Sequence, residues 1–174
     1  MAPDTANAEG AASWAYALRV YAEDGVAPAC LLLQDRLGVD VVVLLHAMHR
    51  ARTGGAVGHD EIAAMDAAVR EWRSQVVAPL RSVRRALKTG LGGFAPDHVH
   101  ALREQVKSIE LMAERKAFEL LAQAAEPPGS AALVQCSEVV HEVARWYSQA
   151  TRAPSVLAEQ DTQEALLRLG SLRV

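Results

Sequence analysis

The stretch IAAMDAAVREWRSQVVAPLRSVRRAL, residues 62–87, decides the fold of this chain. Its apolar side chains recur every three or four residues, which is the spacing of one helical face. The members of this stripe are Ile62, Met65, Val69, Trp72, Val76, Leu80, Val83 and Leu87. Pro79 lies within the stripe, and because proline removes a backbone donor, we expect a kink or two helices in line. The stretch predicts a long helical unit over residues 59–89.

A second stripe with the same spacing follows a loop at Gly90, Gly92 and Gly93. Its members are Val99, Leu102, Val106, Ile109, Ala113, Ala117 and Leu120. The sequence Pro127-Pro128-Gly129 then ends any helix. We expect residues 97–126 to pack against residues 59–89 as a long central antiparallel hairpin.

The remainder of the chain also indicates helices. A first helix is predicted to carry Trp14, Leu18 and Tyr21, a second to run from Pro28 to Gly38, and a third to begin at an Asp40 cap. A further helix is predicted to carry the stripe Leu133, Cys136, Val140, Val143 and Tyr147, and a last helix to end at Gly170. The run from Val41 to Leu45 could instead be a buried strand, but no second convincing strand is present to pair with it. The sequence therefore predicts an all-α, single-domain bundle of six or seven helices.

Domain organisation follows from the same segments. We expect a flexible N-terminus at residues 1–9, a helical core domain at 10–126, and a C-terminal helical extension at 127–174 packed on the core.

Composition narrows the function classes. The 174 residues are 51% hydrophobic and carry a formal net charge of −3, which argues against a dedicated nucleic-acid-binding or membrane-surface protein. No apolar run approaches the roughly 20 residues that span a bilayer. Cys30 and Cys136 are far apart in apolar helical stretches, so we expect free thiols and a cytoplasmic location.

Three strings in the first two thirds of the chain resemble one protein family. The first string runs from Trp14 through Tyr21, Gly25, Cys30, Gln34 and Asp35 to Asp40 and Val41. The second runs from Trp72 and Arg73 through Pro79, Arg81, Arg84 and Arg85 to Lys88. The third runs from Val106 and Lys107 through Glu110 and Ala113 to Glu114 and Arg115. Over about residues 12–122 the chain resembles an uncharacterised bacterial family, domain of unknown function 2390. The resemblance implies a small helical domain with no established activity. The chain departs from the family pattern at His46 and His49, where apolar or aromatic residues are more usual.

The sequence gives little support for metal binding or for chemistry that depends on a cofactor. His46 and His49 are three residues apart and could share a metal, but no further ligand signature accompanies them. A solvated helix end is the favoured interpretation of this pair, since cationic side chains suit the last turn of a helix. Because the chain has no glycine-rich phosphate loop or nucleophile elbow, we expect no cofactor and favour a non-enzymatic role.

Polar residues within apolar segments mark the one place where a ligand could bind. The candidate pocket consists of Trp14, Tyr21, Cys30, Gln34, Asp35, Arg81, Glu110 and Glu114. Such groups form either a ligand site or a structural network. The hairpin register predicts an ion-pair ladder, in which Arg81 faces Glu104 while Arg70 and Arg73 reach Glu110 and Glu114. If Asp35 is buried, Arg81 is its expected counter-ion.

Two hypotheses for function remain open. The first is an interaction or adaptor module with a protein partner, which would use a basic patch of Arg84, Arg85 and Lys88. The second is a small-molecule enzyme or ligand-binding domain that uses the candidate pocket. All-round apolar helices also allow a homo-oligomer.

Overall fold

Helix follows helix throughout the computed structural model, which describes residues 3–89, 95–124 and 135–172. Its α-helices are α1 (Pro3–Tyr21), α2 (Val26–Leu37), α3 (Val41–Arg52), α4 (His59–Trp72), α5 (Ala78–Lys88), α6 (Pro96–Ala124), α7 (Cys136–Ala150) and α8 (Gln160–Gly170). A π-helical turn, Arg73–Val77, joins α4 to α5, and a 3-10 turn, Pro154–Ala158, precedes α8. Because α4, the π turn and α5 are continuous, the described ranges form seven helical units without a strand, which confirms the predicted fold class.

Several predicted boundaries can be compared with these helices. The predicted loop at glycines 90, 92 and 93, the Pro127-Pro128-Gly129 stop and Leu133 lie outside the described residues. Residues 1–9 were expected to be a flexible terminus, whereas α1 already begins at Pro3. Ala6 is buried, and a Cβ added at Gly10 would lie 2.9 Å from the Glu119 Cα of α6. This close helix contact gives the start of α1 a packing surface that the sequence pattern did not reveal.

The β-branched run after Asp40 is helical, as predicted. The Asp40 carboxylate accepts hydrogen bonds from the backbone N–H groups of Val42, at 2.8 Å, and Val43, at 3.4 Å. These bonds satisfy donors that the first turn of a helix leaves unpaired. The cap therefore fixes the start of α3 and removes the strand alternative.

The central hairpin is present, with α4 and α5 packed along α6. The Trp72 indole N–H of α4 donates to the Ala113 carbonyl oxygen of α6 at 2.9 Å. The helices of the extension, α7 and α8, pack on α2 and α3, and their side chains Val140, Val143 and Leu166 are fully buried. The core is thus shared between the hairpin and the C-terminal helices.

The π turn changes which residues of α5 face α6. A π turn holds one more residue than an α turn, so it rotates everything after it by about 100°. The turn also accommodates Pro79, which lacks the N–H that an α-helix would use there. Val77 is consequently buried, whereas Val83 of the predicted stripe is 48% exposed. The predicted stripe is therefore wrong at Val83, whereas its last member, Leu87, is buried as predicted.

Asp66 joins four parts of the fold through one buried carboxylate. It accepts hydrogen bonds from Arg70 at 2.8 Å, from Arg73 at 2.8 Å and from the Tyr147 hydroxyl at 2.8 Å. Arg73 also donates to Asp40 at 2.7 Å, which links the network to the cap of α3. Burial alone would raise the pKa of Asp66, but the hydrogen bonds from Arg73, Arg70 and Tyr147 outweigh it and lower that pKa. Asp66 is therefore an ionised, fully paired carboxylate at neutral pH.

No helix in the described ranges combines the length and the apolar composition that crossing a bilayer requires.

We predict that Asp66→Asn lowers the free energy of unfolding at pH 7 by about 2–3 kcal/mol, because it removes a buried charge that three donors satisfy. The folded pKa of Asp66 lies below the ordinary value of 3.8, so its stabilisation is complete above that pH and is lost as the pH falls through the folded pKa. Urea unfolding across pH should show the wild type and variant converging in strong acid. Asp60→Asn, an exposed change in the first turn of α4, should cost less than about 1 kcal/mol. Equal losses for the two variants would contradict the role of Asp66.

Candidate functional site

A cleft of about 320 Å³ opens between five helices. Its walls are Trp14, Ala17, Leu18 and Tyr21 of α1, Leu31 and Gln34 of α2, Val41, Val42 and Leu45 of α3, Arg81, Arg84 and Arg85 of α5, and Arg103, Lys107, Glu110, Leu111, Glu114 and Phe118 of α6. The first three helices supply mostly apolar side chains, and the hairpin supplies the charged ones. The cleft therefore has an apolar side and a charged side.

Aromatic and aliphatic side chains shape the apolar side. Trp14 meets Phe118 edge to face, with ring centroids 5.5 Å apart. Leu45 and Phe118 are buried, whereas Leu18 and Leu31 remain substantially exposed at the mouth. An open apolar wall of this kind offers a surface for the hydrocarbon part of a ligand.

Two arginines of α5 bind two carboxylates of α6 on the charged side. Arg81 donates through Nε to Glu110 at 3.1 Å and through Nη2 to Glu114 at 2.8 Å. Arg84 donates to both oxygens of Glu110, with its Nη2 at 3.3 Å from Oε1. Glu110 is buried, so these donors satisfy a carboxylate that is largely removed from water.

The two carboxylates have opposite pKa shifts. Burial alone would raise the pKa of Glu110, but hydrogen bonds from Arg84 and Arg81 lower it below its ordinary value. Burial raises the pKa of Glu114, and the charge of nearby Arg81 offsets only part of that effect. Glu110 is thus a firmly ionised partner for the arginines.

Six of the eight predicted pocket residues line this cleft. They are Trp14, Tyr21, Gln34, Arg81, Glu110 and Glu114. Cys30 is fully buried and lies outside the lining, because the tightly packed face of α2 holds it in the core. Asp35 also lies outside the lining, with its side chain exposed and 3.9 Å from Arg85 Nη2. Asp35 therefore emerges at the end of α2, and Arg81 is not its counter-ion.

The predicted ion-pair ladder exists, but its partners were wrong. Arg81 contacts Glu110 and Glu114 instead of Glu104. Arg70 and Arg73 form ion pairs with Asp66 instead of the predicted Glu110 and Glu114. Arg81 therefore meets α6 six and ten residues further along than predicted, about 9–15 Å of helix rise from Glu104, so the predicted register of α5 against α6 was wrong.

The predicted basic patch is divided between two environments. Arg84 and Arg85 line the cleft, and Arg84 is held by Glu110, whereas Lys88 is exposed outside the lining. Sequence reasoning missed Arg103 and Lys107, the further cations of the cleft. They lie four residues apart, at helical spacing from Glu110 and Glu114, and this periodicity could have placed them on the same face of α6.

His46 occupies the protein interior instead of the predicted solvated helix end, whereas His49 is half-buried beside Tyr16. His46 is fully buried, and its Nδ1 lies 2.9 Å from the hydroxyl oxygen of Ser13, which is also fully buried. Burial lowers the pKa of His46 to about 3, with smaller contributions from Arg50 and His49, so its imidazole is neutral. Serine paired with histidine occurs in nucleophilic catalysis, but these two side chains have no exposed surface for a substrate to reach. The pair therefore packs α1 against α3.

Within the part of the chain that the structure describes, no group of three or more histidine, cysteine, aspartate or glutamate side chains is arranged to hold a metal ion. Cys30 and Cys136 are both free thiols, as predicted.

The fold and cleft define an all-helical protein with a partly apolar, partly charged cavity beside a central hairpin. The chain belongs to the family described as "Protein of unknown function (DUF2390)", whose model matches residues 12–121. No curated protein and no solved structure matches the chain. All residues that line the cleft fall inside the matched segment, whereas the Asp66 network extends beyond it to Tyr147.

We predict that Glu110→Gln lowers the free energy of unfolding by about 3 kcal/mol, because it removes a buried charge shared by Arg81 and Arg84. Glu104→Gln is the matched control, since Glu104 also accepts from an arginine, Arg103 at 2.8 Å, but is 42% exposed. An exposed pair contributes about 1 kcal/mol or less. Urea unfolding at pH 7 measures both changes, and a Glu110 variant no less stable than the Glu104 variant would contradict a structural role for Glu110.

Proposed function

We propose that this protein is a non-catalytic binding domain whose cleft holds a small, largely apolar molecule. The observation that carries this proposal is the combination of a cavity of about 320 Å³ with an apolar wall and a few polar groups on one side. Small-molecule sites in proteins have volumes of about 300–1,000 Å³ and this same distribution of apolar and polar groups.

The contacts of Glu110 favour binding over acid–base chemistry at that carboxylate. A general base needs an oxygen available to the proton that it removes. Both carboxylate oxygens of Glu110 already accept hydrogen bonds from Arg81 and Arg84. The arginines in turn hold Glu110 in its ionised form, which supports a fixed electrostatic wall as the role of this cluster.

The interaction-module hypothesis stays a prediction. Its proposed basic patch loses Arg84 to the ion pair with Glu110, which leaves Arg85 and Lys88 as the exposed members. A protein partner and a homo-oligomer likewise remain predictions from the sequence.

Octanoate is a suitable first probe of the cleft, because it joins a short hydrocarbon chain to one polar head. We predict that the double variant Leu18→Asn with Leu31→Asn binds octanoate about thirtyfold more weakly than wild type. Each lost leucine contact removes about 1 kcal/mol of hydrophobic stabilisation. Both side chains are exposed in the free protein, at 50% and 44%, so the fold should tolerate the change.

The matched control is Met112→Asn with Leu167→Asn, which alters two exposed apolar residues outside the cleft. Isothermal titration calorimetry gives the affinity, and the fluorescence of Trp14, which lines the cleft, reports occupancy. If the control keeps the wild-type affinity for octanoate and the Leu18/Leu31 variant does not, the result supports binding in the cleft. An absence of binding to wild type by both octanoate and octan-1-ol, or equal weakening in both double variants, would overturn the proposed function.

A further inference from the structure

We propose that the ligand of this cleft is an organic anion, with an apolar body and a carboxylate or phosphate head that Arg85, Arg103 and Lys107 bind. This inference rests on the proposed function and adds the charge of the ligand to it. The cleft is lined by five cationic side chains and two carboxylates, an excess of three positive charges. Asp35 and Glu104, which contact three of these cations from outside the lining, offset part of this excess, and a small anion that enters the cleft still meets a net positive charge.

The cations of the cleft divide into two groups. Arg81 and Arg84 are occupied by the carboxylates inside the cleft, at Glu110 and Glu114. Arg85, Arg103 and Lys107 have their nearest carboxylates outside the lining. The second group can turn its donors toward a ligand without breaking the buried pairs.

Contacts of the second group leave donors available. Arg85 lies 3.9 Å from Asp35, beyond normal hydrogen-bond distance, and Lys107 lies 3.5 Å from Glu104. Arg103 donates through Nη1 to Glu104 at 2.8 Å, whereas its Nε is buried with no hydrogen-bond partner among the described residues. A buried donor without a partner is unfavourable, and an anionic oxygen would satisfy it.

The size of the cleft favours a small ligand over a macromolecular one. A volume of about 320 Å³ suits a molecule of a few to a few tens of heavy atoms. The apolar wall with Trp14 comes from α1, whereas Arg85 comes from α5 and Arg103 and Lys107 come from α6. A molecule with a charged end and a hydrocarbon end matches both sides at once.

A series of eight-carbon probes that differ only in the head group tests this inference. We expect octanoate and octyl phosphate to bind at least about tenfold more tightly than octan-1-ol, and octylammonium to bind most weakly, because charge-assisted hydrogen bonds form only with the anions. The relative affinities of octanoate and octyl phosphate show whether the cleft prefers a carboxylate or a phosphate head. Added salt should weaken the binding of both anions and leave the binding of octan-1-ol unchanged.

The double variant Arg103→Gln with Lys107→Gln locates the anion. It should reduce octanoate affinity about tenfold or more and leave octan-1-ol affinity unaltered. The matched control, Arg115→Gln with Lys116→Gln, makes the same charge change at exposed positions of α6 outside the cleft. It should bind octanoate as wild type does.

The outcomes separate the inference from the proposed function. If octan-1-ol binds as tightly as octanoate, or if the two double variants weaken octanoate equally, the inference is overturned while binding in the cleft stands. If no probe of the series binds, the proposed function fails and the inference fails with it.

Discussion

The buried carboxylate of Asp66 is the constraint on which the arrangement of the helices depends. It must have hydrogen-bond donors, because an ionised carboxylate without partners in the core would cost several kcal/mol. Its donors come from its own helix through Arg70, from the π turn through Arg73 and from α7 through Tyr147. Arg73 also holds Asp40 at the start of α3. The packing of α3, α4 and α7 is therefore coupled through one group.

This constraint also determines the geometry of the cleft. Arg73, which Asp66 and Asp40 hold in place, is the first residue of the π turn. With that residue fixed, the extra residue of the π turn sets the rotation of α5. Arg81 and Arg84 consequently face α6 and meet Glu110. The core network and the charged side of the cleft are thus parts of one continuous helical unit.

The sequence predicted the helices and most of the candidate pocket, because both depend on periodicity. Residues such as Arg81 and Glu110 recur on predictable faces of two helices that must pack together. Ion-pair partners could not be predicted, since the register and rotation of one helix against another depend on tertiary packing and on the π turn, which local spacing does not reveal. The burial of His46 depends on its contact with Ser13, 33 residues away, which no local pattern reveals. Asp66 was missed because an aspartate beside an apolar stripe resembles a solvent-facing position.

The net charge of the whole chain did not indicate the positive charge of the cleft. The whole chain carries −3, which argues against a polyanionic partner, yet the lining of the cleft has an excess of three positive charges. These facts are compatible because salt screens exposed charges over about 8–10 Å, so a ligand within the cleft responds mainly to the side chains around it. Asp35 and Glu104 stand outside the lining but contact Arg85, Arg103 and Lys107, so they offset part of the positive charge, while the other acidic residues of the chain, except the two glutamates of the lining, lie elsewhere. A positive cavity within an acidic protein selects a small anion that can enter it, whereas an extended polyanion meets the acidic surface first.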